Sequence, residues 1–411
     1  MLRVLIDFLG LLPIIHPYNT LKTCYLYAMP QRIIAHFDLD AFFVNVELLL
    51  HPEYKGKPIL VGGYGTRGIV STCSYEARAY GIHSAMPMAT AMKLCPHAIV
   101  LNDGRHTYGQ YSRYITDIIA AKAPLFEKAS IDEFYLDLTG MDAYHNPLEW
   151  AKALRQEIMQ KTLLPISFGL ASNKMIAKIA TDEAKPNGYL HVQYGKEREF
   201  LSMLPVNKFS GVGDSTHKVL QQLGITTIGD ITKRNIQELE QALGKHGTDL
   251  WHKAHGIHHR PVTPYHEAKS ISSETTFDAD TSDTTYLLAQ LVRLTEKVCH
   301  ELRTDGKMAT SLTVKIRYKG FETTSKQCTI AATDYDHELI PAAKELFAQL
   351  YRPSQLVRLV GVRLGNFIVP YQQGNLFSNK AQLNNLYRAI DEVKDKYGRS
   401  MLVRAAGKEK R

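Results

Sequence analysis

At 411 residues with 45% apolar composition, the chain can bury real cores and suggests roughly two to four domains, which excludes a peptide or a small stapled scaffold. Lys plus Arg total 49 against 41 Asp plus Glu, a formal charge of +8 that permits a polyanionic partner without demanding one. Five cysteines (Cys24, Cys73, Cys95, Cys299, Cys328), an odd number with no C-x-x-C pair, argue against a disulfide framework or a zinc site and place the chain in a reducing cytoplasm.

Residues 1–30, MLRVLIDFLGLLPIIHPYNTLKTCYLYAMP, have the apolar bias of a secretion signal, but Asp7 interrupts the run, Pro13 breaks it and no small-x-small cleavage site follows. Neither secretion nor a membrane span is expected, and the reading favours a start at Met29, with 1–28 as an extension upstream of it. From 31 to 140, strand-like runs (RIIAHFDL, KPILVGG, EFYLDLTG) alternate with helical ones (SAMPMATAMKLC, YGQYSRYITDIIAAKA), predicting a mixed α/β domain. PLEWAKALRQEIM opens on a helix-starting proline, PISFGLA returns to strand, and SNKMIAKIATDEAKPNG predicts a helix capped by Ser172 and stopped by Pro186. The first domain is expected to close near residue 192.

Residues 193–259 read as small and helical with glycine turns, and FSGVGDSTHKVLQQLGI (209–225) as helix, Gly-Val-Gly hairpin, helix. The segment beginning RPVTPYHEAK, two prolines without apolar periodicity, is the expected linker, 260–269. Beyond it, SLTVKIRYKGF and LVRLVGVRLGNFI alternate as strands around the helical TTYLLAQLVRLTEKVCHELRT, giving a second α/β domain over 270–370. The tail, 371–411, carries nine basic against four acidic residues.

Two stretches concentrate carboxylates in strand-like surroundings. In IIAHFDLDAFFVNVE (33–47), Asp38 and Asp40 share one strand face while Phe37 and Leu39 share the other, and two like charges facing one way call for a cation. In FEKASIDEFYLDL (126–138), Asp132 and Glu133 are adjacent, so both reach one site only if the backbone bends, as at a hairpin; Ser130 suits that turn. Asp38, Asp132 and Glu133 converging from neighbouring strands would form an oxygen-rich site for hard divalent cations such as magnesium, the arrangement phosphoryl transfer requires. Tyr75 and Arg78, three apart, share a face if helical and can both reach a triphosphate, to which Thr72 can add a hydroxyl. Lys315, Arg317 and Lys319 alternate with Ile316 and Tyr318, predicting a strand with one basic and one apolar face.

In order and spacing, HFDLDAFFVNVE, TCSYEARAYGI, ASIDEFYLDL and IATDEAKPNG resemble the signature blocks of Y-family translesion DNA polymerases, especially the DNA polymerase IV (DinB-type) branch, over roughly residues 31–370. The resemblance implies an α+β multidomain right hand: palm at 29–40 and 104–192, fingers at 41–103, a helix-hairpin-helix thumb at 193–259 and an α/β little finger at 270–370. It implies a low-fidelity, template-directed DNA polymerase that adds deoxynucleotides to a primer end past damaged bases, using two magnesium ions, with no segment left over for a proofreading nuclease, and acting as a monomer. Asp38, Asp132 and Glu133 match the catalytic, metal-holding carboxylates, Leu39 the position whose backbone carbonyl helps hold metal, and Asp40 an accompanying acid. Phe43 falls at the steric gate against ribose, preceded by Phe42; Thr72, Tyr75, Arg78 and Lys185 match nucleotide contacts. Cys73 and Ser74 stand where relatives often have alanine and asparagine. Gly211 and Gly213 resemble the thumb's contact with primer-template DNA, and Lys315, Arg317 and Lys319 the little finger's. Gln373, Leu376 and Phe377 are spaced like a sliding-clamp-binding motif, though 34 residues follow it. A non-catalytic DNA-binding scaffold leaves the acids unexplained, and a nucleotidyl cyclase leaves the thumb hairpin and basic strand unexplained.

Overall fold

The run Ile34–Leu39 forms β1, buried at all six positions because it lies at the centre of a five-stranded sheet ordered β5-β6-β1-β7-β8. The other strands are β5 (Phe126–Lys128), β6 (Glu133–Asp137), β7 (Ile166–Ala171) and β8 (Tyr189–His191), with β6 and β7 both antiparallel to β1. The computed structural model describes residues 31–63, 65, 67–102, 104–369, 380–398 and 401–407. Apart from the loop at 64–67, one compact unit extends to Tyr265 and a second begins at His266.

Alternation along β1 divides its side chains between two cores. Ala35, Phe37 and Leu39 pack with Phe134, Leu136, Phe168 and Leu170, together with residues of α1 (Phe42–Leu50), α4 (Arg105–Ala120) and α5 (Pro147–Thr162). Ile34, His36 and Asp38 take the opposite face, which α6 (Lys174–Ala184) covers. That helix lies almost on the strands: a Cβ at Gly169 would come within 2.2 Å of the Ala177 carbonyl oxygen, so only glycine fits there. Its N-cap is Asn173, not Ser172; Asn173 is extended and its Oδ1 accepts from Ile176 N–H at 3.1 Å, while its amide donates to the Gly256 carbonyl at 3.0 Å.

A small sheet, β2 (Ile59–Gly62) between β3 (Val70–Cys73) and β4 (Ile99–Leu101), holds its own core with α2 (Tyr75–Arg78) and α3 (Met88–Leu94). Five short helices follow: α7 (Glu197–Ser202), α8 (Asp214–Gln222), α9 (Ile228–Thr232), α10 (Ile236–Leu243) and α11 (Lys245–Ala254), whose core is continuous with that of α6. The segment before Gly-Val-Gly is a single 3-10 turn, Val206–Lys208, rather than the expected helix, because Pro205 is extended and only a few residues separate it from Gly211, whose φ of +99° demands glycine.

The second unit is an antiparallel sheet ordered β11-β10-β12-β9, from β9 (Ser270–Thr281), β10 (Met308–Tyr318), β11 (Thr323–Thr333) and β12 (Val357–Ile368). Helices α12 (Thr284–Thr304) and α13 (Asp336–Leu350) share the core of its inner face. The expected tail contains a further helix, α14 (Lys380–Tyr397), held to α12 by charge. Arg303 donates through Nε and Nη2 to the two Asp391 oxygens at 2.7 and 2.9 Å and through Nη1 to Asp336 at 2.7 Å, its guanidinium resting 4.7 Å from the Tyr387 ring centre. His300 sets its two ring nitrogens 2.9 Å from Asp391 and 3.1 Å from Asp395. No helix among the described residues is long and apolar enough to cross a membrane.

Arg303 is 8% exposed at its side chain, and removing one partner of such a buried pair leaves uncompensated charge. Arg303→Ala is expected to destabilise the second unit by about 3 kcal/mol and to strip hydrogen-exchange protection from 380–397; protection retained there would contradict the anchoring assigned to it.

Candidate active site

The site begins where β1 leaves the sheet. Its register sets Asp38 directly opposite Glu133, the first residue of β6. Asp132 lies one residue earlier, in the turn from β5, and its backbone carbonyl accepts from Leu39 N–H at 3.1 Å. Ser130 closes that turn: its hydroxyl donates to Asp132 Oδ1 at 2.5 Å and accepts from Glu133 N–H at 3.1 Å. The bend demanded by the adjacency of Asp132 and Glu133 is therefore present.

Asp38, 4% exposed, and Glu133 offer ligand atoms within 4.8 Å of each other and of His36. Two lysines of the α6 segment compensate them: Lys185 Nζ lies 2.6 Å from Asp38 Oδ1, and Lys178 Nζ donates to Glu133 Oε1 at 2.5 Å. Beneath them His36 is wholly buried, with Nδ1 2.9 Å from the Thr181 hydroxyl oxygen and Nε2 3.8 Å from Glu133, too long for a hydrogen bond. Asp40 is spent otherwise: it accepts from Ser167 Oγ at 2.9 Å and from Asn187 N–H at 2.8 Å, bracing the strand end.

These surroundings split the two facing acids. Burial pushes the Asp38 carboxyl up to about 7; Lys185 opposes that and the charges of Glu133 and Asp132 reinforce it. Glu133 is held well below the ordinary range by the Lys178 ammonium, against the effect of burial. Buried, oxygen-rich and balanced, among the described residues, by ammonium groups, the set fits a hard divalent cation, which would supply the same compensation.

A cavity of about 170 Å³ opens beside these acids, lined by Leu39, Phe43, Thr72, Arg78 and Asp132 among others. Residues singled out in three separate stretches thus line one space. Ala41, in the left-handed region at φ 40°, turns the chain from β1 into α1 so that Phe43 falls in the first turn, while Phe42, also on the cavity lining, is 2% exposed and packs into the core. Arg78 stacks 4.6 Å from the Tyr75 ring centre, as a shared face required. The Tyr75 hydroxyl is buried without a hydrogen-bond partner among the described residues; burial and then Asp40 push it up to about 12. Cys73 is core, and Ser74 caps α2, accepting from Ala77 N–H at 3.3 Å and Ile59 N–H at 3.0 Å.

Elsewhere, Gly211 and Gly213 precede α8, where a Cβ on Gly213 would meet nothing and the Gly211 carbonyl lies 3.1 Å from His246 Nε2. On β10, Val314, Ile316 and Tyr318 are buried while Thr313, Lys315 and Arg317 face outward, with Arg363 exposed opposite Thr313 on β12. Lys315 pairs with Glu274, Arg317 donates to Thr323, and Lys319 lies just past the strand. Gln373, Leu376 and Phe377 lie outside the described residues. Sequence reasoning passed over His36, Lys178 and Arg363. The first sits two residues before Asp38 on the same strand face, a spacing that was available; the other two needed the packing of α6 and the β10–β12 register.

Residues 37–182 match the model of the impB/mucB/samB family, 268–376 that of its C-terminal domain, and 207–258 the thumb domain of DNA polymerase iota. A DNA polymerase IV from Dehalococcoides mccartyi is 40% identical over 374 residues, 90% of this chain and 96% of that one. The chain belongs to the Y family of DNA polymerases, in the DNA polymerase IV branch. Among solved structures, a Y-family polymerase chimera of Dbh and Dpo4 is 31% identical with a TM-score of 0.74, and an insertion ternary complex of Dbh DNA polymerase is 30% identical with a TM-score of 0.60; each alignment covers 82% of this chain and all of the other. The protein is thus a DNA-directed DNA polymerase of the translesion class, working on DNA and nucleotides with a divalent cation.

The raised Asp38 group has a consequence for pH. In chelator, the folded chain keeps a proton that the unfolded chain releases between 3.8 and about 7, so this component of stability is present at low pH and is lost as pH rises through that window. Asp38→Asn is expected to flatten the dependence of Tm on pH between about pH 5 and 7. An unaltered slope in the variant would mean that Asp38 ionises normally in the folded chain.

Proposed function

We propose that Asp38, Asp132 and Glu133, with the Leu39 carbonyl, hold two magnesium ions and catalyse primer extension, and that the cavity beside them takes the incoming deoxynucleotide. The observation carrying this reading is the cross-strand pairing of Asp38 with Glu133 beside a cavity that Asp132, Phe43, Thr72 and Arg78 line. When bound, the ions supply activation of the attacking oxygen and stabilisation of the leaving pyrophosphate. The protein's own groups do the rest. Phe43 gates the sugar, its ring excluding a ribose hydroxyl. Thr72, Tyr75 and Arg78 hold the triphosphate, the unpartnered Tyr75 hydroxyl and the Arg78 fork offering donors to phosphate oxygens. Lys185 exchanges Asp38 for a phosphate oxygen, so that the same ammonium balances the empty and the loaded site.

Residues 29–40 and 104–192 serve as palm, 41–103 as fingers, 193–259 as thumb and 270–370 as little finger. The N–H groups at the start of α8, approached closely past Gly211 and Gly213, contact the DNA backbone without reading sequence. Lys315, Arg317 and Lys319, joined by Arg363, form a second backbone contact. Gln373, Leu376 and Phe377 dock on the sliding clamp, and the enzyme works as a monomer in the cytoplasm.

Asp132→Asn is expected to lower magnesium-dependent primer extension by about 10³-fold while leaving DNA affinity within twofold; residual synthesis near wild type would remove Asp132 from the catalytic set. Replacing Lys315 and Arg317 by alanine should weaken DNA binding evenly across sequences and reduce the salt slope by roughly two. An unchanged slope would assign that strand face to solubility. Deleting Gln373 to Phe377 should abolish clamp stimulation without altering clamp-free extension, and equal stimulation before and after would dismiss the motif.

A further inference from the structure

The histidine beneath the paired acids has one ring nitrogen accounted for and one not. Thr181 Oγ1 lies 2.9 Å from the backbone carbonyl oxygens of both His36 and Ala177, and also 2.9 Å from His36 Nδ1. A hydroxyl has one proton and a carbonyl can only accept, so the two carbonyls compete for that proton and Nδ1 is the donor in the third contact. Complete burial disfavours a charged ring, and in the neutral ring Nε2 then carries no hydrogen. Its lone pair has no hydrogen-bond partner among the described residues and faces Glu133 Oε2 at 3.8 Å. Two lone-pair atoms so placed repel each other, and a cation between them removes the repulsion.

An imidazole that donates from one nitrogen to an oxygen and leaves the other bare is oriented as metal-ligating histidines are. Asp38 supplies a third donor: ligand atoms of His36, Asp38 and Glu133 all lie within 4.8 Å of one another. Zinc sits roughly 2.0 to 2.2 Å from an imidazole nitrogen or a carboxylate oxygen, so a single ion can touch both atoms across the 3.8 Å gap. Lys178 holds Oε1 of Glu133 and leaves Oε2 to face the histidine, while the Glu133 side chain, 25% exposed, gives an ion a way in. The nitrogen donor sets the preference. Magnesium takes oxygen ligands and keeps its waters, whereas imidazole favours zinc and its neighbours among the first-row metals. We propose that His36, Asp38 and Glu133 form a site for a borderline-soft divalent metal ion of the zinc type, which overlaps the magnesium site and inhibits the polymerase by displacing magnesium. The binding stands on this geometry alone; the inhibition rests on the carboxylates being the catalytic set.

The test titrates the full chain, stripped of metal and free of DNA and nucleotide, with cobalt(II) as a visibly absorbing surrogate, followed by displacement with zinc. A single equivalent is expected, with a spectrum lacking the band that a thiolate ligand gives, and zinc should bleach it. Thr181→Val, which frees the ring from its fixed tautomer, should weaken that equivalent about tenfold, and His36→Phe, which keeps a ring but loses the donor, about 100-fold. In primer extension, zinc inhibition of the wild type should yield to added magnesium. For each variant, scaled to its own zinc-free rate, the zinc concentration needed should rise in step with the lost cobalt affinity. Cobalt affinity unchanged in His36→Phe would overturn the site. Should that variant fail to fold in thermal unfolding, Thr181→Val decides by the same measure. Binding that depends on His36 without zinc inhibition would overturn the overlap. Failure of the catalytic reading looks different: Asp38→Asn would lose cobalt yet extend primers at the wild-type rate, leaving the site standing and removing the inhibition with the reading.

Discussion

Everything at this site follows from one pairing: two carboxylates, Asp38 and Glu133, set face to face across antiparallel strands at the end of a buried sheet. Like charges so placed repel, and burial raises the cost of keeping both ionised. The fold answers with Lys185 and Lys178 from one helical segment, aligned because seven residues are about two turns, and α6 reaches the strands because Gly169 lets it lie against them. The compensation is incomplete, and a buried, acid-rich place of that kind would suit a hard divalent cation. A fully satisfied salt-bridge cage would have little affinity left for anything else.

Much of this was legible in the sequence because it is written in short local periods. The two-residue repeat of IAHFDL places Phe37 and Leu39 opposite His36 and Asp38, and the structure divides them between two cores accordingly. The adjacency of Asp132 and Glu133 implied a hairpin, and β5 and β6 make one around Ser130. The alternation in SLTVKIRY gave both faces of β10. What escaped depends on partners distant in sequence. Tyr108 looks like any helical aromatic until Phe43 and Glu47 are brought against it, and Lys178 like any helix lysine until α6 crosses β6.

Other misses have causes particular to each element. The cap of α6 moved from Ser172 to Asn173 because either residue can cap and only tertiary context, here the Gly256 carbonyl taking up the Asn173 amide, chooses between them. β9 carries a largely polar sequence with Ser273 and Phe277 as its buried members, so a reading by apolar alternation had little to register. α14 is chiefly polar, and its attachment is ionic: Asp391 and Asp395 find Arg303 and His300 some ninety residues earlier.

That attachment makes the hold on α14 depend on the medium. Dissolved ions screen charge pairs, and they reach the exposed Asp395 contact before the buried Arg303 one, so the helix would loosen in steps while the apolar core under α12 and α13 keeps its grip.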